Sequence, residues 1–568
     1  MKFSISWLKD HLDTSATLGE VTDTMVRVGL EVEEVTDPAA ALAPITIGYV
    51  KAAERHPDAD KLQVCTVETK DGDQQIVCGA PNARAGIKVA YAPVGTYVPG
   101  IDTTLTKAKI RGVESFGMLC SARELELGED HDGIMELAED ASVGTPVADL
   151  LGLDDPVIDF EVTPNRPDTN GVDGVARDLA AGGLGTLTTA EPESVPGAFP
   201  TPVTVETDDT EACPAFASRV IRGVKNGPSP AWLQARLRAV GLRPINALVD
   251  VTNYLSYDRA RPLHVYDTAK LSGAIRARMG REDEAFEALD GKTYEVTDAD
   301  CVIADDAQVL GFGGIMGGEA SGCTDETTDV LIESALFDPM RIARTGRRTG
   351  ITSDARYRFE RGVDPAGTLP GLELATRMIL DACGGEPSEV TVAGKIDTDR
   401  KTVAFRPHEV VRLTGLTVSD DEAGDILTAL GFGVERGDVW TVSVPTSRPD
   451  VTGPADLVEE IARIRGLDDL PAATLPPLKA VQTPNTAPLI RRQRAARRVL
   501  AEQGYLEAIT WAFTSEAAAE AFGGAAPGLK LANPISAELG VMRPGPLPNL
   551  LLAAARNKAR GAEDVMLM

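Results

Sequence analysis

A change of texture at Ile45 constrains the fold of this chain more than any other feature of its sequence. From there, five short β-rich runs follow one another: ITIGYVKAAE, LQVCTVET, QQIVCGA, IKVAYAPVG and TLTKAKIRG. Turn-forming residues separate the runs, as at positions 56–60 and 71–73. About five short strands within roughly 70 residues predict a small β-barrel, with the oligonucleotide-binding (OB) fold as the leading candidate. We expect this barrel to occupy residues 40–150.

The chain is too long for a single domain. Its 568 residues suggest about three to five domains at roughly 100–200 residues each. Hydrophobic residues make up 43% and charged residues 25%, so the chain can bury several cores. A net charge of −30 disfavours indiscriminate coating of nucleic acid or of anionic membranes. Local clusters of Lys and Arg could still bind nucleic acid, because binding depends on where they lie.

The sequence indicates neither a membrane segment nor a secretion signal. No apolar stretch approaches the roughly 20 residues that span a bilayer, and the start, MKFSISWLKDHL, lacks a long apolar run. Seven cysteines without a CxxC pair are typical of reduced thiols, and five histidines away from any cysteine pair argue against structural zinc. We therefore expect a cytoplasmic protein with no membrane partner.

Linkers and apolar spacing divide the chain. Residues 186–202 and 474–488 are Pro-rich and Thr-rich linkers. Spacings of three and four apolar residues predict a helix over about residues 17–29. Strand and helix patterns alternate in the remaining segments, which favours a multidomain α+β protein around the inserted barrel. The predicted domains outside the barrel are 1–39 joined to 151–190, 203–395, 398–473 and 486–568.

Basic side chains of the predicted barrel could line a groove on this acidic chain. They are Lys61, Lys88, Lys107, Lys109 and Arg111. The alternative is a solvated face with ordinary turn residues. Two phrases around them, HPDADKLQVCTVE and RGVESFGMLCSARELELG, closely resemble the EMAP-type tRNA-binding module. That resemblance implies that the five side chains contact tRNA.

The run GFGGIMGGE does not match a nucleotide-binding loop. Gly313 and Gly318 have the Walker spacing, but Glu319 and Ala320 follow, where that loop needs Lys and then Ser or Thr. A carboxylate at this position would repel a triphosphate. We interpret the glycines as a tight turn or as a close approach of the backbone to a ligand.

A second basic cluster lies between residues 341 and 361. Only Asp354 and Glu360 accompany its arginines, which are Arg341, Arg344, Arg347, Arg348, Arg356, Arg358 and Arg361. One interpretation is an internal network of ion pairs with neighbouring acids. The other is contact with a phosphate backbone or with the 3′ end of an RNA.

A group of four acidic residues surrounds the predicted start of a helix at Gly453 and Pro454, with one residue upstream and three in the helix. Its members are Asp450, Asp456, Glu459 and Glu460. Spacings of three and four residues place the last three on one helix face. Carboxylates this close repel one another unless a cation intervenes, and oxygen-only ligands favour Mg²⁺. The alternative is an acidic helix N-terminus with a solvated face.

Five phrases together closely resemble the beta subunits of bacterial phenylalanyl-tRNA synthetases: VTPNRPDTNGVDGVARDLAA, RPINALVDVTNY, RPLHVYD, GGIMGGE and TSDARYRFERGVDP. The resemblance covers essentially the whole chain. It implies an EMAP-type OB barrel for tRNA binding, a B3/B4 editing region at 203–395 and a B5 module at 398–473. It also implies that residues 486–568 begin a degenerate class II synthetase-like antiparallel α/β domain.

The resemblance also implies partners and activity. In this family the alpha subunit binds phenylalanine and ATP and charges tRNA(Phe), within an α2β2 heterotetramer. The beta subunit binds tRNA and hydrolyses tyrosine mischarged onto tRNA(Phe). The acidic group matches the magnesium motif of the family, which implies Mg²⁺ as cofactor. The family continues with a ferredoxin-like anticodon-binding domain, so we expect a C-terminally incomplete chain with Leu550–Leu552 uncovered.

Editing has a physical reason, because an apolar pocket rejects an added hydroxyl by only about 10². By matching, the editing pocket contains His264, Gly317, Glu333, Ser353 and Ala355. Glu333 would accept the tyrosine hydroxyl, since a carboxylate in an apolar strand is a strong acceptor. Ser353 stands where many family members have Thr. Without the resemblance, Glu333 could pair with an arginine and His264 could be a satisfied core histidine.

No Ser–His–Asp or Cys–His grouping is evident, so we expect the pocket to position a water and not to form an acyl-enzyme. Two alternatives remain at this point. One is a non-catalytic tRNA-binding scaffold with an idle pocket, and the other is a free-standing editing enzyme. Activity on tyrosyl-tRNA, with and without an alpha subunit, separates the three hypotheses.

Overall fold

The computed structural model of the chain describes residues 1–128, 130–468, 470, 472, 474–475 and 486–568. The chain divides into two compact units, Met1–Pro471 and Ala472–Met568. Most of the linker predicted at 474–488 lies outside the described residues. Within the described ranges, no helix combines the length and the apolar character that crossing a membrane requires. All seven cysteines are free thiols, as expected.

The first third of the chain contains the barrel and the segments on either side of it. Its elements are β1 (Lys2–Ser4), α1 (Ile5–Lys9), β2 (Leu12–Asp13), α2 (Leu18–Arg27), β3 (Glu31–Thr36), α3 (Pro38–Leu42), β4 (Thr46–His56), β5 (Ala59–Thr69), β6 (Gly72–Cys78), β7 (Lys88–Pro93), β8 (Tyr97–Val98), β9 (Thr103–Thr104), β10 (Ala108–Ile110), β11 (Val113–Ser115), β12 (Gly117–Leu119), β13 (Glu136–Leu137), α4 (Val147–Leu151), β14 (Val157–Glu161), α5 (Val172–Ala181) and β15 (Thr186–Leu187).

The N-terminal region is assembled from both sides of the barrel. Strand β14 pairs antiparallel with β1 and with β3, so segments before and after the barrel share one sheet. Helix α2 confirms the predicted helix. It begins at a capping box, in which Thr17 and Glu20 bond to each other's backbone amides.

The barrel sheet has the strand order β12-β7-β4-β5-β6, with β13 also on β7. The sheet curls until its first and last strands meet. There, the Phe116 amide donates to the Gln75 carbonyl at 2.9 Å, and the Gln75 side chain donates to the Glu114 carbonyl at 2.8 Å. The predicted β-barrel is therefore present, with strands that leave no open edge at this junction.

The central region follows. Its elements are β16 (Val205–Thr207), β17 (Ala215–Arg222), α6 (Ala231–Ala239), α7 (Ala247–Asp258), β18 (His264–Asp267), β19 (Ile275–Met279), β20 (Ala285–Glu287), β21 (Thr293–Glu295), β22 (Cys301–Ala304), β23 (Val309–Phe312), β24 (Met316–Gly317), β25 (Asp329–Leu336), α8 (Pro339–Thr349), α9 (Asp354–Phe359), α10 (Thr368–Cys383), β26 (Glu386–Pro387) and β27 (Thr391–Gly394).

Two five-stranded sheets dominate this region. One has the order β18-β25-β17-β26, with β27 also on β17, and the other has the order β16-β19-β22-β23-β24. The first sheet separates two hydrophobic cores. The first core includes Phe3, Ile332 and Ile464, and the second core includes Phe312 and Leu331. Strand β25 contributes alternate side chains to each core.

The remaining elements are β28 (Thr402–Phe405), α11 (His408–Thr414), α12 (Asp420–Ala429), β29 (Gly433–Glu435), β30 (Trp440–Ser443), α13 (Pro454–Arg465), α14 (Pro488–Glu502), β31 (Phe513–Thr514), α15 (Glu516–Glu520), β32 (Val541–Met542) and α16 (Leu547–Ala559). Strands β28, β30 and β29 form a small sheet against the helices of this segment. In the second unit, Leu551 and Leu552 are each half exposed, whereas Leu550 is partly buried.

Candidate functional site

Antiparallel pairing of β18 with β25 places His264 directly opposite Glu333. Directly opposed residues of a sheet present their side chains on the same face. On β25, Val330 and Ile332 contribute to the first core and Leu331 to the second, so Glu333 faces the second core. A glutamate in the middle of a strand is therefore directed into apolar surroundings.

Burial dominates the electrostatics of Glu333. The residue is 6% exposed, and loss of hydration raises the pKa of its carboxyl from 4.5 to about 7. The Tyr266 phenol donates a 2.5 Å hydrogen bond to Oε2, which acts in the opposite direction and lowers that pKa. Among the described residues, Glu333 forms no ion pair, so the arginine partner considered as the alternative is not observed.

The imidazole of His264 is an unsatisfied polar group at this site. Burial lowers the pKa of His264 to about 4, so the ring is neutral near pH 7. Its buried Nε2 has no hydrogen-bond partner in the part of the chain that the structure describes. This differs from the satisfied core histidine considered as the alternative. A buried polar atom without a partner costs free energy, so a ligand that forms a hydrogen bond with Nε2 would be favoured here.

Gly317 fits under the His264 ring only because it lacks a side chain. A Cβ atom at position 317 would lie 2.5 Å from His264 Cε1 and 2.7 Å from Nε2. The preceding glycines form the tight turn between β23 and β24, where Gly314 has a φ of +67°. The interpretation of this glycine run as a tight turn is thus confirmed, and the close approach that the structure shows is to the His264 ring.

Ser353 connects this turn to helix α9. Its hydroxyl donates to the Ile315 carbonyl at 2.7 Å and accepts from the Arg356 amide at 3.1 Å, as the N-cap of the helix. Ala355, in the first turn of α9, packs against the second core. Ser353 therefore supports the turn that leads to Gly317, and its hydroxyl is already engaged in structural hydrogen bonds.

The structure thus brings His264, Gly317 and Glu333 into one contact group and links Ser353 to it through the turn. The sequence prediction did not include Tyr266. The sequence does contain an indication of its position: Tyr266 follows His264 by two residues in RPLHVYD, and this spacing places both side chains on one face of a strand. The two rings pack edge to face with centroids 4.6 Å apart.

Two thiols near Glu333 are not activated nucleophiles. Burial raises the pKa of Cys301 to about 12 and raises that of Cys213 well above its usual value. Neutral buried thiols are inert, because the thiolate is the reactive form. The group can therefore orient a polar ligand and a water, and neither of these two thiols offers a thiolate nucleophile.

Comparison with curated proteins identifies the family. The chain is 55% identical to the phenylalanine–tRNA ligase beta subunit of Mesorhizobium japonicum, and the match covers 100% of this chain and 71% of that protein. The same subunits of Rhodopseudomonas palustris and Paramagnetospirillum magneticum are 54% and 52% identical, with the same coverage. The chain belongs to the phenylalanine–tRNA ligase beta subunit family. It is therefore a subunit of an aminoacyl-tRNA synthetase, which is a ligase.

Family models match successive segments of this beta subunit. The tRNA binding domain matches residues 45–146, the B3/4 domain 212–384, the B5 domain 403–467, and the phenylalanyl tRNA synthetase beta chain CLM domain 472–568. A solved N-terminal fragment of the beta subunit from Pyrococcus horikoshii covers 82% of this chain and 99% of its own length, at 12% identity and a TM-score of 0.36. The group around Glu333 lies within the B3/4 domain.

In the tRNA binding domain, the predicted basic side chains differ in availability. Lys61, Lys109 and Arg111 are exposed. The Arg111 guanidinium donates to the Asp58 carbonyl at 3.2 Å, so it lies beside the hairpin that carries Lys61.

Two members of the predicted basic set are engaged within the barrel. Lys88 donates to the Glu139 and Ala141 carbonyls. Lys107 pairs with Glu114 at 2.9 Å and lies 4.8 Å from the centre of the Phe116 ring. Lys88 and Lys107 thus have partners within the barrel, and Arg111 bonds to the Asp58 carbonyl. Contact of the five basic side chains with tRNA stays a prediction.

In the B3/4 domain, the arginine cluster follows the ion-pair interpretation. Arg348 pairs with Asp300 at 2.5 Å, and Arg356 pairs with Glu360 at 3.0 Å. Arg358 is buried and bonds to the Asp354 carboxylate and to the Asn170 carbonyl. Arg344 and Arg347 are exposed, so only part of the cluster is available to a ligand.

In the B5 domain, the four predicted metal ligands do not converge. Asp450 pairs with Arg448, and Asp456 accepts from the Thr452 and Gly453 amides as a helix cap.

Glu460 lies between Arg448 and Arg463, whereas Glu459 is exposed. No group of three or more His, Cys, Asp or Glu suited to a metal exists within the described ranges. The arrangement does not fit Mg²⁺, because two guanidinium groups already neutralise the buried carboxylate. The Mg²⁺ site stays a sequence prediction.

Proposed function

We propose that the B3/4 domain of this chain hydrolyses tyrosine that has been mischarged onto tRNA(Phe). The observation that carries the proposal is the Glu333 carboxylate, buried on the same sheet face as a neutral histidine whose Nε2 lacks a partner. We further propose that the chain binds tRNA and joins an alpha subunit in an α2β2 assembly. Phenylalanine and ATP would bind to that alpha subunit.

The substrate selectivity follows from the chemistry of the two amino acids. Tyrosine differs from phenylalanine by one hydroxyl, and a pocket that must reject the smaller side chain needs a hydrogen-bond partner for that hydroxyl. A site built around such a bond disfavours the analogue without the hydroxyl by about 10⁴–10⁵. Glu333 would accept the phenol hydrogen bond, and its apolar surroundings strengthen that bond.

The hydrolytic step would use water directly. Water adds to the ester carbonyl carbon, the ester bond to the tRNA ribose breaks, and tyrosine and the tRNA hydroxyl are released. His264, neutral near pH 7, would hold the water or the ester through Nε2. The Ser353 hydroxyl is engaged in capping, and the thiols of Cys213 and Cys301 are protonated, which supports attack by water over a covalent intermediate.

The decisive experiment measures deacylation of tyrosyl-tRNA(Phe) by this chain, alone and mixed with an alpha subunit. We expect hydrolysis in the mixture, a fall of about 10² or more in Glu333→Ala, and little hydrolysis of phenylalanyl-tRNA(Phe). Glu295→Ala is the matched control, because this glutamate is exposed on β21 of the same domain. It should retain full activity.

Absence of hydrolysis from an assembled mixture would contradict the editing proposal and leave a tRNA-binding scaffold. Size-exclusion chromatography of the same mixture shows whether the two subunits associate. Full activity of the chain without an alpha subunit would instead favour a free-standing editing enzyme.

A further inference from the structure

The Glu333 carboxylate, proposed above to bind the substrate phenol, already accepts a hydrogen bond from the phenol of Tyr266. Tyr266 is 2% exposed, and its hydroxyl donates to Glu333 Oε2 at 2.5 Å. No other hydrogen bond to the Glu333 side chain occurs among the described residues, so Oε1 has no protein partner. One oxygen is thus occupied and the other is available.

We propose that Tyr266 is a positioning residue for tyrosine selectivity, which clamps Glu333 through Oε2 so that Oε1 accepts the hydroxyl of the mischarged tyrosine. The proposal rests on the editing function proposed above. It assigns to Tyr266 no contact with the substrate. Its role is to fix both the orientation and the ionised state of the carboxylate.

The orientation follows from the sheet register. Tyr266 lies opposite Leu331, two residues from Glu333, so its side chain is the diagonal neighbour of the carboxylate on the same face. The His264 ring packs edge to face against Tyr266 and holds the phenol in place. Without the phenol, both carboxylate oxygens would be free and the side chain could rotate.

The ionised state depends on the same hydrogen bond. The titratable groups that face Glu333 are His264 and Tyr266 on β18, Cys213 before β17, and Cys301 on β22. All are neutral near pH 7, because burial lowers the pKa of the imidazole and raises the pKa values of the phenol and the thiols. The Tyr266 phenol is therefore the described contact that favours the carboxylate over the carboxylic acid.

Loss of this phenol should convert Glu333 from an acceptor into an acid. Burial alone would then set the pKa of Glu333, which would rise above its value of about 7. A protonated carboxyl accepts the substrate phenol poorly, so tyrosyl and phenylalanyl esters would be distinguished less well. Raising the pH would restore the carboxylate and part of the selectivity.

The test compares Tyr266→Phe with the wild-type chain mixed with an alpha subunit, on tyrosyl-tRNA(Phe) and phenylalanyl-tRNA(Phe). We expect the ratio of the two kcat/KM values to fall by about tenfold or more at pH 7. The pH profile of that ratio should move about one pH unit to the alkaline side. Tyr294→Phe is the matched control, because it removes a phenol that donates to a surface carboxylate, Asp290, at 2.8 Å.

A second measurement does not depend on activity. Infrared titration of the wild-type chain, with Glu333→Gln as the reference, isolates the carboxyl band of Glu333. Its midpoint should lie near 7 in the wild type and higher in Tyr266→Phe. An unchanged midpoint, or an unchanged ratio and pH profile in an active mixture, would overturn the proposal.

The two proposals fail in different ways. If the wild-type mixture edits and Glu333→Ala does not, an unaffected Tyr266→Phe refutes only the positioning role. If the assembled wild-type mixture does not hydrolyse tyrosyl-tRNA(Phe), both the editing function and the selectivity role of Tyr266 are refuted, whatever the infrared midpoint.

Discussion

Two buried glutamates in this chain have pKa values that are shifted in opposite directions. Glu333 in the B3/4 domain is 6% exposed, and Glu460 in the B5 domain is 1% exposed. Burial raises the pKa of Glu333 to about 7, whereas Arg448 and Arg463 hold the pKa of Glu460 well below its usual range. Burial by itself therefore does not decide the charge of a carboxyl, because its neighbours decide whether the lost hydration is replaced.

Glu460 lies in a network of charged side chains that includes arginines and Asp178. Arg448 and Arg463 each bond to both oxygens of Glu460, and Arg463 also pairs with Asp178 of α5 at 2.8 Å. Arg166 pairs with the same aspartate at 2.9 Å. The network links the B5 domain to the N-terminal region, so Glu460 has a structural role. Glu333, by contrast, has a carboxylate oxygen without a protein partner among the described residues.

Removing the Glu460 carboxylate should have the largest effect on stability. Glu460→Ala leaves two buried guanidinium groups without their central partner, and we expect a loss of about 3–5 kcal/mol in the free energy of unfolding. Urea unfolding of the full chain measures it. Glu459→Ala is the control, because the adjacent Glu459 is exposed. This substitution should change stability by less than about 0.5 kcal/mol. Equal losses of stability in Glu460→Ala and Glu459→Ala would contradict the structural role of the buried Glu460 carboxylate.

The pH dependence of stability should differ in sign between the two sites. The folded-state pKa of Glu333 lies above its unfolded value, so the folded chain binds more protons and stability falls as pH rises. The stability difference between wild type and Glu333→Gln should therefore fall by about 2–3 kcal/mol between about pH 5 and 7.

Glu460 has a lowered pKa, so its contribution is present above its unfolded pKa and is lost only in more acidic solution. The difference between wild type and Glu460→Gln should stay nearly constant over the same interval. Parallel curves for the two variants, measured by denaturant titration at each pH, would contradict the comparison.

A smaller effect is expected at Gly317. Gly317→Ala forces His264 or the turn to move, because the new Cβ would lie 2.5 Å from the ring. We expect a loss of about 1–3 kcal/mol in stability and a disproportionate loss of editing. Gly227→Ala, where a Cβ meets nothing within 4 Å, is the matched control. Retention of editing by Gly317→Ala would show that the close approach to His264 is dispensable.

Removal of divalent metal should have the smallest effect. Because arginines already neutralise Asp450 and Glu460, treatment with EDTA should leave the Tm of the full chain unchanged within about 1 °C. A fall of several degrees that Mg²⁺ reverses would instead show that the four carboxylates rearrange around the ion. Differential scanning calorimetry with and without added Mg²⁺ distinguishes the two outcomes.

Sequence patterns predicted the local structure well where the signal was local. The apolar run before Glu333 predicted its place in an apolar strand, the three- and four-residue apolar spacing predicted α2, and Gly453 with Pro454 marked the start of α13. Sequence patterns did not reveal contacts between residues that are distant in sequence. The carbonyls that engage Lys88 lie about 50 residues downstream, and counting basic residues in a barrel cannot reveal them.

The amino-acid sequence by itself determined the order of the domains, the family, and the strand and helix positions of the candidate residues. These depend on periodicity, caps and motif spacing, which act over a few residues. Only the tertiary structure decided which carboxylates are acceptors and which are structural. Tyr266 meets Glu333 across 67 residues of sequence, and Arg463 meets Asp178 across 285. A pKa depends on hydration and on charges within a few ångströms, and those distances exist only after the chain has folded.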